Sequence, residues 1–479
     1  MRRIACCLLA AISCLGASRS EAGIRPQYGG TLRAATQATM SSLNPADVPQ
    51  NELETLARGR ILPLVFETLV ELDAEGLAHP RLAVAWLSDL SSRRWQFYLR
   101  PGARFSDGGS LSAAVVVQSL ALSLGSVHAE WTARVEGESV VLESETGQPD
   151  LLAELSLLRN AIARRSPNGE WLGTGPFRIT NWQEGKLLEL AVNDGAWSGR
   201  PYVDSVRIEL GKTLRDQMVE LELGKADLIE TGADQNAKAS GEGRAYGSLP
   251  VELLALVTAP GAKAQDVSVR EALSTAIDRE SMRSALLRGG SEVAGSVLPQ
   301  WMSGYAFLFP VQVDVGHARV LLGSGGSGEG RTSVPARALM LSYDSGDALV
   351  RLIAERVALN AREVGLQIQT VASSVNSKGA DLRLLRVLLA SSNSGMALQE
   401  IGNAVGTDAR SGPGAEDVYL TEKKLMEGAS LIPLFHLPLA SLAGERVRNW
   451  PSDKMGGWPL AEVSLDAGAE TRSGDPSRP

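Results

Sequence analysis

The 479-residue sequence predicts a layered α/β protein of two or three domains, and three observations carry that prediction. Residues 338–370 read as strand, helix, strand. Ala338–Ser342 is apolar, Leu349, Leu352, Ile353 and Val357 recur at helical spacing before Gly365, and Leu366, Ile368 and Thr370 alternate. Such a β-α-β unit implies parallel pairing with the helix packed on the sheet. Two further apolar strands, Val251–Val257 and Leu431–Phe435, each stand apart from such a unit. Finally, a composition of 44% hydrophobic and 21% charged residues supplies ample core, over a length that exceeds one compact domain.

The chain opens on an export leader. Arg2 and Arg3 form a positive start, Ile4–Leu15 is apolar but too short to span a bilayer, and Ser20-Glu21-Ala22 places small residues for cleavage after Ala22. The alternative is a lipoprotein signal, with Ala11-Ile12-Ser13 preceding an acylated Cys14. The mature chain is thus expected in the periplasm, or tethered there through Cys14. No later apolar run reaches the roughly 18 to 20 residues of a membrane-spanning helix.

Thr31–Ala35 is a strand followed by the turn Ser41-Ser42-Leu43-Asn44-Pro45, and Leu62–Leu72 reads as a helix. Trp95–Arg100 is a strand with Trp95, Phe97 and Leu99 on one face, stopped by Pro101-Gly102, and Leu111–Leu124 is a helix. Phe177–Trp182 and Leu187–Val192 flank a glycine-containing loop as a hairpin. Val206–Leu210 precedes a helix through Met218, Leu221 and Leu223, and residues 232–247 form a polar surface loop. Asp266 caps a helix running from Val267 towards Leu287, and a last helix spans Glu416–Glu427. The Gly/Ser/Pro-rich tail 468–479 is expected to be disordered.

Composition removes several functions. The net charge of −8 becomes −10 without the leader, and no basic run exceeds a pair, which excludes a phosphate-tracking nucleic-acid binder. All three cysteines (Cys6, Cys7, Cys14) precede residue 15, so the mature chain holds no disulfide, thiolate metal site or thiol nucleophile. Gly323–Gly328 fits G-x-G-x-x-G, but it follows a helix and precedes a strand, the reverse of a phosphate-cradling turn. His79, His128, His317 and His436 lie far apart without ligand spacing, and no G-x-S-x-G is present. No cofactor or metal is expected, and no enzyme.

Several separated segments together resemble the extracellular solute-binding proteins of family 5, the peptide/nickel class of ABC importers. They are Gly29-Gly30-Thr31-Leu32-Arg33 with Leu43-Asn44-Pro45, then Val65-Phe66-Glu67-Thr68-Leu69-Val70, then Trp95–Arg100 through Asp107-Gly108. Gly173-Thr174-Gly175-Pro176-Phe177 is the sharpest signature. It is followed by Gly199-Arg200-Pro201-Tyr202, by Arg270, Ala272, Leu273, Ala276, Ile277, Asp278 and Arg279 in one helix, and by Ile432-Pro433-Leu434-Phe435-His436.

This resemblance implies a periplasmic-binding-protein-like fold (type II, class C). Two α/β lobes would be joined by a two-strand hinge with a ligand cleft between them. It divides the chain into leader 1–22, lobe I 23–250, lobe II 251–431, a lobe I return 432–467 and the tail. The implied function is a monomeric substrate-binding component that captures a peptide-like or related organic solute and delivers it to a membrane permease. A ligand-sensing receptor on the same fold is the alternative, and an exported hydrolase a remote third. Position in the fold nominates Thr39, Met40, Ser41, Ser42 and Asn44 at the cleft mouth, Trp301 and Tyr305 as aromatic walls, Ser391, Asn393 and Ser394 as neutral hydrogen-bonding groups, and Phe435 and His436 beside the second crossing. Peptide-binding members carry an aspartate where this chain has Ser391-Ser392-Asn393-Ser394-Gly395, which argues against a free peptide amine as the recognised group.

Overall fold

A computed structural model describes residues 26–124, 131–232, 244–259, 266–287, 290–323, 338–373, 379–451 and 453–466. The expected leader with Cys14, the glycine-rich segment beyond Gly323, His128 and the expected tail 468–479 lie outside the described residues.

One eleven-stranded mixed sheet runs through the molecule. Its order is Phe177–Gln183, Leu187–Val192, Ser205–Glu209, Thr31–Ala35, Leu228–Thr231, Leu431–Ala443, Arg244–Thr258, Leu382–Leu388, Leu339–Asp344 and Ile368–Ser373, with Glu292–Val293 pairing on Leu431–Ala443. Thr31–Ala35 is parallel to both of its neighbours, and Leu339–Asp344 is parallel to Ile368–Ser373 through the helix Ala348–Glu363, the expected β-α-β unit. A separate four-stranded antiparallel sheet (Ala83–Ser88, Arg94–Leu99, Ser139–Ser144, Trp131–Glu136) buries Trp95, Phe97, Val140 and Leu142 with Val116 and Leu120 of the helix Ala113–Leu124.

The sheet carries two main cores. The first joins Leu32, Ile61, Phe177, Leu190 and Ile208 to Ala443, Val447, Trp458, Leu460 and Val463 from the other end of the chain. The second is built from Leu254, Leu341, Ile353, Leu384, Leu434 and Phe435. These are the two lobes of the expected fold.

Two strands pass between the lobes. Arg244–Gly247 pairs with Ala440–Ala443 on the first-lobe side, and Glu252–Val257 pairs with Leu431–Leu437 on the second. Between them Pro250 faces Pro438, and the register slips on both sides of that pair. Neither proline has an N–H to give the ladder. Other groups take over: Leu439 N donates to Ser248 Oγ at 2.8 Å, and Trp301 Nε1 donates to the Pro250 carbonyl at 2.8 Å.

Some local expectations are corrected. Leu62–Leu72 is not a helix. It is a single 3₁₀ turn, Leu62–Leu64, and then the strand Val70–Leu72, while the helix lies upstream at Glu52–Ile61, where Asn51 accepts from Glu54 N. Pro63 sits at the start of that turn and cannot continue the preceding hydrogen-bond ladder. The run Val267–Leu287 is two helices, Val267–Ala276 and Arg279–Leu286, because Ile277 is extended and Asp278 caps the second by accepting from Ser281 N. The apolar strands at 251–257 and 431–435 are parts of longer ones, continuing to Arg244 and Ala443.

Candidate functional site

In open α/β sheets, ligands bind beyond the carboxyl ends of parallel strands. Here that edge of the first lobe carries residues 36–51 and the helix Glu52–Ile61. The loop is pinned from beneath. Arg58 donates to the carbonyls of Ser42, Asn44, Pro45 and Asp47, and Glu54 Oε1 accepts from both Ser41 N and Ser41 Oγ at 2.8 Å. Ser42 Oγ and Asn44 Nδ2 donate to the Asp47 carboxylate at 2.6 Å each. Gln37 N donates to Glu230, whose other oxygen pairs with buried Arg60 at 2.7 Å, and Gln37 Nε2 reaches the Gly346 carbonyl of the second lobe at 3.1 Å.

Two cavities flank this loop. One lies between the lobes and measures about 30 Å³; Glu52 and Leu53 wall it from the first lobe, and Glu252, Asp344, Asp347 and Arg386 from the second. Arg386 donates to Glu252 Oε2 from Nε (3.0 Å) and Nη2 (2.5 Å), and to Asp347 Oδ2 from Nη1 (2.8 Å). Burial disfavours its charge, but the two carboxylates outweigh that effect and push the guanidinium above its usual range. Burial, together with the Asp344 charge, raises the Glu52 carboxyl above its usual range against the pull of Arg383 and Arg386. The other cavity, about 390 Å³, lies within the first lobe, among Ser41, Ser42, Leu43, Trp171, Asn181 and Trp182. Arg165 also borders it, with its guanidinium 4.2 Å from the Trp171 ring centre.

The twelve residues nominated from the sequence fall in several places rather than one. Ser41 and Ser42 line the first-lobe cavity, with Asn44 and exposed Thr39 in the same loop, whereas Met40 is fully buried in the first core. Ser391–Ser394 meet the first lobe directly: Ser392 Oγ donates to the Asp73 carbonyl at 2.6 Å. Asn393 caps the helix Ser394–Val405 by accepting from Met396 N, and Ser391 Oγ accepts from Asn393 N. Trp301 braces the crossing at Pro250, as above. Tyr305 packs inside the second lobe against Tyr419 and Phe309 and donates to Glu422 at 2.8 Å. Glu422, whose carboxyl burial pushes upward, also accepts from Val297 N and Leu298 N.

Phe435 is fully buried in the second core, and His436 beside it is 2% exposed, its Nε2 3.0 Å from the Val297 carbonyl. Burial lowers the imidazole to about 4. Its folded pKa lies below the unfolded value of about 6.5, so its contribution is intact above pH 6.5 and is lost as pH falls towards 4. The loss amounts to roughly 3 kcal/mol at about 1.4 kcal/mol per pH unit. Urea midpoints from pH 7 to 4.5 should therefore fall less steeply in His436→Gln than in the parent; parallel slopes would contradict this.

Glu52, Glu252, Asp347 and Arg386 were not among the nominated residues, although two of them left a signal. Glu252 interrupts the apolar run Val251–Val257, and Arg386 sits between Leu385 and Val387 on a strand that also carries Arg383; a buried ion in such surroundings needs a partner. Among the described residues no cluster of three or more His, Cys, Asp or Glu is placed to hold a metal ion, and no helix is long and apolar enough to cross a membrane.

Comparison with known proteins agrees with this architecture. The nickel-binding periplasmic protein of Escherichia coli is 26% identical over 355 residues, covering 66% of this chain and 67% of the relative. The oligopeptide-binding protein AppA of Bacillus subtilis is 29% identical over 162 residues, covering 33% of this chain and 28% of AppA. Two solved structures share the fold. NikA from Staphylococcus aureus in complex with Ni(L-His)2 aligns with a TM-score of 0.76 at 16% identity, covering 91% of this chain and 100% of NikA. DppA from Helicobacter pylori in complex with the peptide STSA aligns at 0.77 and 16%, covering 92% and 98%. A model described as bacterial extracellular solute-binding proteins, family 5 Middle, matches residues 78–384, well over half of the sequence. The chain belongs to the bacterial extracellular solute-binding proteins of family 5.

Proposed function

We propose that this protein is the non-catalytic, solute-capturing component of an ABC importer, working outside the cytoplasmic membrane on peptide-like or related organic solutes. The observation that carries this reading is the membership of the family, supported by two lobes that face each other across residues such as Glu52 and Asp344 and by two crossing strands whose ladder is interrupted at Pro250 and Pro438. A solute touching both walls favours the closed arrangement by its differential affinity for it. On the pairing of the crossing strands, the second lobe would run from Val251 to about Leu437. Glu52 and Asp344, one from each lobe, would favour a cationic group on the solute, while Arg386 is already neutralised by Glu252 and Asp347. Two relatives are named for nickel, so a metal chelate is the other solute class to test.

The deciding experiment is a thermal-shift screen of residues 23–479 against short peptides, opines, sugars and nickel chelates. A solute at a hundred times its Kd adds about 2.7 kcal/mol, a readable shift. A folded protein whose melting is moved by no class at millimolar concentration would count against solute capture.

A further inference from the structure

The crossing strands are not the sole junction between the lobes. The hairpin Val70–Leu72/Ala78–Pro80 and residues 151–160 of the first lobe press on the start of the helix Ser394–Val405 of the second, and neither first-lobe segment belongs to the eleven-stranded sheet. The contact has three parts. Met396 inserts among Leu72, Ala153 and Leu157. Ser392 Oγ donates to the Asp73 carbonyl at 2.6 Å, and the Ser392 carbonyl lies so near Gly76 that a Cβ there would meet it at 3.3 Å. Arg159 Nη1 donates to Glu400 Oε2 at 3.0 Å.

The first-lobe half of the ion pair is preset. Arg159 is held by Glu154 through Nε at 2.9 Å and Nη2 at 2.5 Å, and Asn160 Nδ2 donates at 2.8 Å to the same Glu154 Oε1 that Arg159 Nε uses. Glu400, by contrast, comes from the second lobe, and its Oε1 is buried without a hydrogen-bond partner. With the lobes apart that oxygen can be hydrated; where they meet it gives up water, a cost offset by the bond from Arg159 to the other oxygen. We infer that Arg159, Glu400 and Met396 form a clasp that sets how far the lobes stand closed, acting as positioning residues separate from those that touch solute.

Although this concerns the closure on which the proposed capture depends, it can be read without any solute. Failure of the clasp is therefore distinguishable from failure of the solute reading. Residues 23–479 hold no cysteine, so Glu138→Cys and Thr407→Cys, exposed positions in the two lobes, accept spin labels as the sole thiols. Electron–electron double resonance should give one short, narrow interlobe distance in the labelled parent. Glu400→Arg, which sets two cations together, should move the distribution to longer, broader distances. Glu400→Gln, which keeps an acceptor for Arg159, should fall between the two, with the melting temperature of each variant close to the parent's. A parent distribution that is already long and broad, or a Glu400→Arg distribution that matches the parent's, would overturn the clasp. Met396→Ser reports on the apolar part in the same way and must also lengthen the distance.

Discussion

Arg386→Ala is expected to cost about 3 to 5 kcal/mol of unfolding free energy, because it strands buried carboxylates rather than merely deleting contacts. Register explains the geometry. Leu254 pairs with Arg386 and Glu252 with Leu388 on antiparallel strands, so Glu252 and Arg386 are diagonal neighbours on one face. Asp347 serves twice: Oδ1 accepts from Leu349 N (2.9 Å) and Val350 N (3.1 Å) to cap the helix Ala348–Glu363, and Oδ2 takes the guanidinium. Without Arg386, Glu252 at 4% exposure keeps no cation, while Asp347 still has its helix. The paired change Glu252→Leu/Arg386→Met should therefore recover most of the loss, since an apolar pair can replace a buried ion pair at little cost. Urea denaturation of parent, single and double variants measures this. A single variant within about 1 kcal/mol of the parent would mean that water already serves the site.

Gly173→Ala is expected to destabilise by about 3 kcal/mol, near the upper end for overpacking, because it is the backbone that would have to yield. A Cβ at Gly173 would sit 1.9 Å from the Val65 carbonyl oxygen, and one at Gly175 would meet Val65 and Leu64 backbone atoms within 2.9 Å. The approach is close because this ribbon bonds to residues 65–67: Gly175 N donates to Val65 O at 2.9 Å and Thr174 Oγ1 to Glu67 Oε2 at 2.8 Å. Trp197 Nε1 shares that Glu67 oxygen, also at 2.8 Å. Gly59 supplies the contrast. It lies in the helix Glu52–Ile61, with the nearest atom to an added Cβ at 3.9 Å, so Gly59→Ala should be neutral or stabilise by up to about 1 kcal/mol. Equal melting temperatures for the two alanine variants would refute the steric account.

The Gly173–Phe177 segment was legible in the sequence as a family signature, but the reason for its glycines, a close approach to the backbone of Val65 far away in sequence, was not. The strands around it and the β-α-β unit were legible through periodicity. The interlobe wall was not, since Glu52, Glu252, Asp347 and Arg386 converge from four elements, and only charges set among apolar strand neighbours pointed to two of them. Phe435 and His436 were nominated because they sit on a crossing strand. A strand inside a sheet covered on both faces has no free side, however, and both side chains face packed protein. The split of 267–287 at Asp278 was hidden for a related reason, because a capping residue inside an amphipathic run keeps the apolar spacing almost unbroken.

The first core has a consequence for the order in which the chain can become structured. Leu32 and Phe177 share it with Ala443, Trp458 and Val463, and the strand Leu228–Thr231 finds its antiparallel partner in residues 440–443. Until those last residues arrive, the first half of the polypeptide has an open sheet edge and an unfilled interior, and contacts that close so long a loop form slowly. The second core, drawn from residues 254–437, is continuous in sequence and can close ahead of the first. A nascent chain is thereby kept from sealing its amino-terminal half before the carboxyl-terminal strand is available.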